Sequence, residues 1–243
     1  MGKFFLNLLA ILALSLPARA QHLSPLYRDA DSVWLTQLLY SGDEWRPRVT
    51  PVTGHEFFLS GDYLDGSVTV GGFTFNGLRL KYDIFSDELI LLWKDIHSLL
   101  LNNSAVESFT VGIYTGSGRN PDFIGRKFIN LHDTYPEITG FAEVIYKGSG
   151  MVVAKHTKTI ARHTSMSSYA EYRESSRLWF ITGNSARMIR NRASFMHMFG
   201  EYEDAVKRYV RQNHIEMSKL TPQGYGEAAA YYDSLIRGKE AGN

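Results

Sequence analysis

Through the middle of the chain, apolar residues recur at every second position. Val68 and Val70 alternate with Ser67 and Thr69, and after Gly71-Gly72 the rings of Phe73 and Phe75 share a face. Beyond Asn76-Gly77, residues Leu78, Leu80, Tyr82 and Ile84 fall on one side, with Arg79, Lys81 and Asp83 on the other. A period of two belongs to a strand with one buried and one wet face. Paired glycines supply the positive φ angles of a two-residue hairpin, and Asn-Gly marks a second turn or a bulge. Phe85-Ser86-Asp87-Glu88 turns the chain again before the apolar run Leu89 to Trp93. Residues 54–93 therefore read as an antiparallel meander.

The same pattern continues downstream. Ile96 to Leu101 and Ser108 to Tyr114 are strand candidates around Asn102-Asn103-Ser104, and Thr115 to Gly125 (TGSGRNPDFIG) reads as a loop. Lys127 to Leu131 predicts a short strand before a second loop, His132 to Pro136. Phe141 to Lys147 and Met151 to Ala161 flank the turn Gly148-Ser149-Gly150; Tyr169 to Glu174 and Arg177 to Thr182 flank Ser175-Ser176. Gly183-Asn184 then leads into Ala186 to Arg190.

After residue 193 the period changes. Ser194 is a candidate N-cap for Phe195 to Phe199. Tyr202, Val206, Tyr209 and Val210 share one face of a helix over Glu201 to His214, with Lys207, Arg208 and Arg211 towards its C-terminal half, where they suit the dipole. Past Pro222, residues Ala228, Tyr232, Leu235 and Ile236 repeat at three and four, and Gly238 is the expected stop. The expectation is a mainly β (α+β) protein. About ten short strands form a curved sheet, sandwich or half-barrel over residues 51–192, under a helical cap at 193–243. Residues 21–50 form a weakly patterned lead-in, with Trp45-Arg46-Pro47 extended.

Residues 1–20 read as a signal peptide. Lys3 is followed by a short apolar run, Phe4 to Leu16, and by Ala18-Arg19-Ala20, a small-x-small cleavage pattern. The run is too short to span a bilayer, and no second hydrophobic segment follows. A transmembrane barrel is set aside because most strand candidates are five to seven residues long and the chain ends in helices. With no cysteine in its 243 residues, the chain forms no disulfide and carries no lipidated cysteine. Removing the leader takes away two basic residues, Lys3 and Arg19, and no acids, so the remainder is close to neutral. Near-neutrality offers nothing to nucleic acid.

Candidate chemistry is thin. The eight histidines include His55, His132, His156 and His163, yet no pair shows HExxH or HxH spacing. No GxSxG elbow stands between a strand and a helix, and Gly148-Ser149-Gly150 sits between two strands. Thr115-Gly116-Ser117-Gly118-Arg119 lacks the lysine and the following helix of a phosphate loop. Asp62 and Asp65, and Asp87 and Glu88, fall at turns. Arg187, Arg190 and Arg192 read as a solvated face. No catalytic, cofactor-binding or metal-ligating residue is assigned, and no cofactor is expected.

The run FFLSGDYLDGSVTVGGFTFNGLRLKYDIFSDELIL, the segment Gly140 to Ile160, and YEDAVKRYVRQNHIEM followed by Tyr231 to Leu235 resemble small exported proteins of Bacteroidetes-type bacteria. That resemblance implies a cell-envelope protein and brings no functional residues with it. The expected function is a periplasmic or secreted, non-enzymatic β-domain that binds a protein, peptide or lipidic ligand. The alternative is a hydrolase or metal enzyme whose site gathers His55, His132, His156 and His163 from distant strands. If function is local, the loops Thr115 to Gly125 and His132 to Pro136 are its expected seat.

Overall fold

The structure is a computed structural model describing residue 37 and residues 40–48, 51–115, 122–163 and 169–240. The expected signal peptide and most of the lead-in lie outside the described residues. The strands are β1 (Tyr40–Glu44), β2 (Val52–Thr53), β3 (Leu64–Val70), β4 (Phe73–Asp83), β5 (Glu88–Trp93), β6 (His97–Leu101), β7 (Val106–Thr115), β8 (Asp122–Asn130), β9 (Phe141–Lys147), β10 (Met151–His163), β11 (Tyr169–Thr182) and β12 (Ser185–Ile189). Three helices follow: α1 (Arg192–His197), α2 (Glu203–Gln212) and α3 (Gln223–Glu240).

All twelve strands described belong to one open sheet ordered β1-β6-β5-β4-β3-β7-β8-β9-β10-β11-β12, with β2 lying parallel to the start of β11. Every other pairing is antiparallel, as the alternation predicts. The meander is present as β3-β4-β5, with positive φ at Gly71 and Gly72 in its first turn. Asn76-Gly77 is a bulge within β4, where the register with β3 shifts.

Several boundaries differ from expectation. Ser175 and Ser176 make no turn; each pairs across to β10, opposite Thr157 and His156, within one strand of 14 residues. Serine carries a turn signal only where nothing else claims its backbone, and here the full length of β10 does. β8 begins at Asp122, inside the stretch read as loop, because Phe123 and Ile124 find cross-strand partners on β7. Part of the lead-in forms β1, just ahead of Trp45 to Arg48. Strands of 11, 10, 13 and 14 residues exceed the expected five to seven, so strand length does not exclude a membrane barrel; the open strand order is the relevant fact. Among the described residues no helix is long and apolar enough to cross a membrane.

The helices also shift. The N-cap of α1 is Asn191, which accepts from the Ser194 amide at 2.8 Å while the Ser194 hydroxyl reaches back to the Asn191 amide at 3.0 Å. Ser194 is thus the third residue of a reciprocal capping box rather than the cap itself. α3 runs through Gly238, whose neighbours in the helix outweigh the weak propensity of one exposed glycine.

The sheet curls. The Lys158 amide donates to Ile84 O at 3.0 Å, and Phe57 bridges to Asp83, so the far half of β10 meets the β4–β5 turn. Inside the curl, Phe109 and Phe128 stack at 4.7 Å, with Tyr82 and Phe141 edge-on to both or one of them. A second core lies between β10–β12 and the helices, where Phe180, Phe195 and Phe199 form an edge-to-face triangle. On the opposite face of β10–β11, Val153, Trp179 and Ile181 pack under Leu131 and Ile138. Asp233 ties α3 to the β9–β10 hairpin. Buried, it accepts from the Tyr146 hydroxyl at 2.7 Å and from the Ser149 amide at 2.8 Å and hydroxyl. A Cβ on Gly148 would overlap that carboxylate, which accounts for glycine at this turn.

Candidate functional site

Two features stand apart from ordinary core and turn. The first is a buried polar chain between the two main cores. Register places Phe128, Glu143, Ala154 and Leu178 side by side on one face, and His156 opposite Ser176 one step further along. Glu143 thus projects between Phe128 and Ala154. Burial pushes its carboxyl up, but bonds from His156 and Arg126 outweigh that and hold it below the usual carboxylate range. The Arg126 guanidinium grips both oxygens, Nη2 at 2.8 Å and Nε closer. His156 Nε2 lies 2.7 Å from Glu143 Oε2, and its Nδ1 lies 2.8 Å from Ser176 Oγ. With Nε2–H donating to the carboxylate, Nδ1 is the ring atom that faces the serine hydroxyl. The ring is wedged against Phe58, 4.9 Å between centroids, and Phe128.

On the other face of β10 sits a smaller cluster. Lys155 Nζ donates to Asp87 Oδ1 at 2.6 Å, and Tyr82 donates to the same oxygen. Burial lowers Lys155 and the Asp87 charge partly restores it; burial, then Asp87, pushes the Tyr82 phenol well up. Lys158, lowered by burial, donates to the carbonyls of His55 and Phe57 at 2.8 and 2.7 Å, which fixes the segment closing the curl.

Serine, histidine and glutamate in line have the connectivity of an acyl-transfer triad. Their surroundings argue for structure instead. Ser176 is only 8% exposed, and Arg126 already neutralises the carboxylate that would support an imidazolium. The other histidines do not join in. His55 stacks on Phe57 at 6.1 Å, with burial and Lys158 lowering its pKa; His132 is exposed in its loop; the side chain of His163 lies outside the described residues. Among the described residues, no group of three or more His, Cys, Asp or Glu side chains is gathered as a metal would require. Ser149 of the glycine turn is committed to Asp233, and Asp87 to Lys155.

The second feature is the end of the β7–β8 hairpin. β3 accompanies β7 only as far as Gly112, and β9 accompanies β8 only from Phe128 onward. Residues 113–115 and 122–127 therefore run past their neighbours as a two-stranded arm. Register puts Ile113 and Ile124 on the face that carries Phe109, Val111 and Phe128 into the core, so the core-facing row continues out of the fold. There it is 44% and 51% exposed. On the reverse face Tyr114 (57%) and Phe123 (42%) pair at 5.2 Å. The Phe123 ring lies over Gly112 and Gly125, where an added Cβ would stand 2.8 Å from it in each case.

One edge of this arm is open. Leu131 donates to Gly140 O, so odd-numbered amides of β8 point towards the β9 side. Alternation then turns the N–H and C=O groups of Phe123, Gly125 and Lys127 outward, and no strand among the described residues pairs with them. The arm overlaps the Thr115 to Gly125 stretch that the sequence singles out and extends beyond it at both ends; residues 116–121 are outside the description. Arg126, Glu143 and Ser176 were not singled out by the sequence reading. The signal was there in Phe141-Ala142-Glu143-Val144, where an acid occupies a core-facing position of a strand and demands a buried partner.

Comparison with protein-family models, with curated proteins and with solved structures finds no match to this chain.

The polar chain has a pH signature. A carboxyl whose folded pKa is depressed stabilises the fold above its unfolded value and loses that contribution as pH falls through the folded one. Glu143 and Asp233 are both depressed, against burial, by their hydrogen-bond donors. Stability is therefore expected to be level above about pH 5 and to fall steadily below about pH 4. Urea denaturation midpoints measured across that range check it; a midpoint unchanged down to pH 3 would count against both carboxylates.

Proposed function

We propose that this chain is an exported cell-envelope β-domain that binds rather than catalyses, and that the β7–β8 arm is its binding element. The observation that carries this reading is the arm's open β8 edge, flanked on both faces by exposed apolar side chains. Extended peptides add to such edges through backbone hydrogen bonds, while side-chain contacts on the two faces set preference. Exposed edges are normally blunted by bulges, proline or inward charge; of the charges on the open stretch of β8, Arg126 is engaged by Glu143, which leaves Asp122 and Lys127 for that purpose.

The test uses displayed random peptides selected on the immobilised protein. Selected sequences are expected to alternate apolar and polar residues, and their affinity to fall at least about tenfold in Phe123→Pro, which removes an outward amide. Selected peptides that bind Phe123→Pro equally well would sink the assignment to β8. Lipid retained in native mass spectrometry, and lost in Ile113→Ser/Ile124→Ser, would replace a peptide with a lipidic ligand.

The Ser176–His156–Glu143 line supports a second reading, a hydrolase. A fluorophosphonate probe decides between them: Ser176 is expected to stay unlabelled, and stoichiometric labelling lost in Ser176→Ala would favour the enzyme.

A further inference from the structure

Resting on the arm as the binding element, we propose that the strand β8 accepts is the same strand of a second copy, giving a two-fold symmetric dimer through β8. The parity of the edge sets the register. In an antiparallel pair, residues that exchange hydrogen bonds face residues whose amides also point outward. The outward set is Phe123, Gly125 and Lys127. Placing the two-fold axis at Gly125 matches all three: Phe123 faces Lys127 of the second copy, Gly125 faces Gly125, and Lys127 faces Phe123. Every outward donor then meets an acceptor. A shift of two residues in either direction leaves at least one outward group without a partner from this set.

Side chains agree with that register. On the Tyr114 face, the Lys127 ammonium of one copy comes beside the exposed Phe123 ring of the other, an attraction of cation and π face made twice. At the axis two glycines meet, each covered on the Tyr114 face by the Phe123 ring of its own strand. On the opposite face, Ile124 lies beside the stem of Arg126, whose guanidinium remains on Glu143. A symmetric interface requires such self-matching, and Phe123 and Lys127 at the two ends of the open stretch supply it.

The absence of cysteine makes the test clean. The protein purified after export is brought to sedimentation equilibrium across the micromolar range, and an equimolar mixture of Phe123→Cys and Lys127→Cys is oxidised with copper–phenanthroline. The expected results are a monomer–dimer equilibrium, its loss in Phe123→Pro, and rapid disulfide formation between positions 123 and 127 but not in a Ser185→Cys control on β12. A protein that stays monomeric throughout overturns self-pairing, as does a dimer that persists in Phe123→Pro without the 123–127 crosslink. If the monomer still takes up selected peptides at β8, self-pairing alone falls; if it takes up neither, the reading of the arm falls with it.

Discussion

Replacing Glu143 by alanine is expected to cost about 3 kcal/mol of folding stability, read as a shift in urea midpoint at pH 7. The loss comes less from the bonds removed than from what remains. Arg126 keeps a guanidinium that is mostly out of water, and His156 keeps a ring nitrogen aimed at nothing between Phe58 and Phe128. Glu143→Gln should cost less, because an amide oxygen still accepts from one of the two. The double variant Arg126→Met/Glu143→Leu should recover much of the loss, since a buried ion pair replaced by apolar groups of similar volume is often close to neutral. Equal losses in the single and double variants would mean that the chain contributes through packing alone.

Phe128→Ala should be at least as damaging, about 3–5 kcal/mol. Phe128 is fully buried, stacks on Phe109 at 4.7 Å, and meets Phe58 and Tyr82 edge-on at 5.0 and 5.1 Å. Those rings come from β4, β7, β8 and the segment closing the curl, so a cavity there loosens the curl at several points. A thermal midpoint lower by roughly 10 °C is the expected readout. Phe123→Ala, five residues earlier on the same strand but on the exposed arm, should cost under about 1 kcal/mol. The contrast separates scaffold from arm within one strand. Comparable losses at 123 and 128 would contradict the division.

Much of the scaffold was legible in the residues. Leu78, Leu80 and Tyr82 alternate cleanly because one face of β4 is buried and the other wet, and the bulge at Gly77 only shifts the phase, so that Leu78 follows Phe75 on the buried face. The change of period after residue 193 located the helices for the same reason. Tertiary pairing was not legible. Ser175-Ser176 carries local turn chemistry, and only the partner strand β10, distant in pattern, makes it continuous strand. Likewise Phe123-Ile124 looked like part of a glycine-rich loop because its cross-strand partners, Tyr114 and Ile113, lie on the other side of the Gly-, Asn- and Pro-containing stretch 116–121, whose composition dominates the local pattern. The polar chain was hidden for a different reason. Arg126, Glu143, His156 and Ser176 come from four strands with no fixed spacing, and only the register brings them together. Glu143 in a core-facing position was the one local clue.

The most direct test is amide hydrogen exchange at Phe123, Gly125 and Lys127 in dilute protein, repeated with a partner strand bound. The account predicts fast exchange at these three in dilute solution and strong protection once β8 is occupied, while Phe109 and Val111 on β7 stay unchanged. Protection in dilute monomer, or continued fast exchange at saturation, would contradict it: the first would mean that the edge is already covered, the second that the partner binds elsewhere.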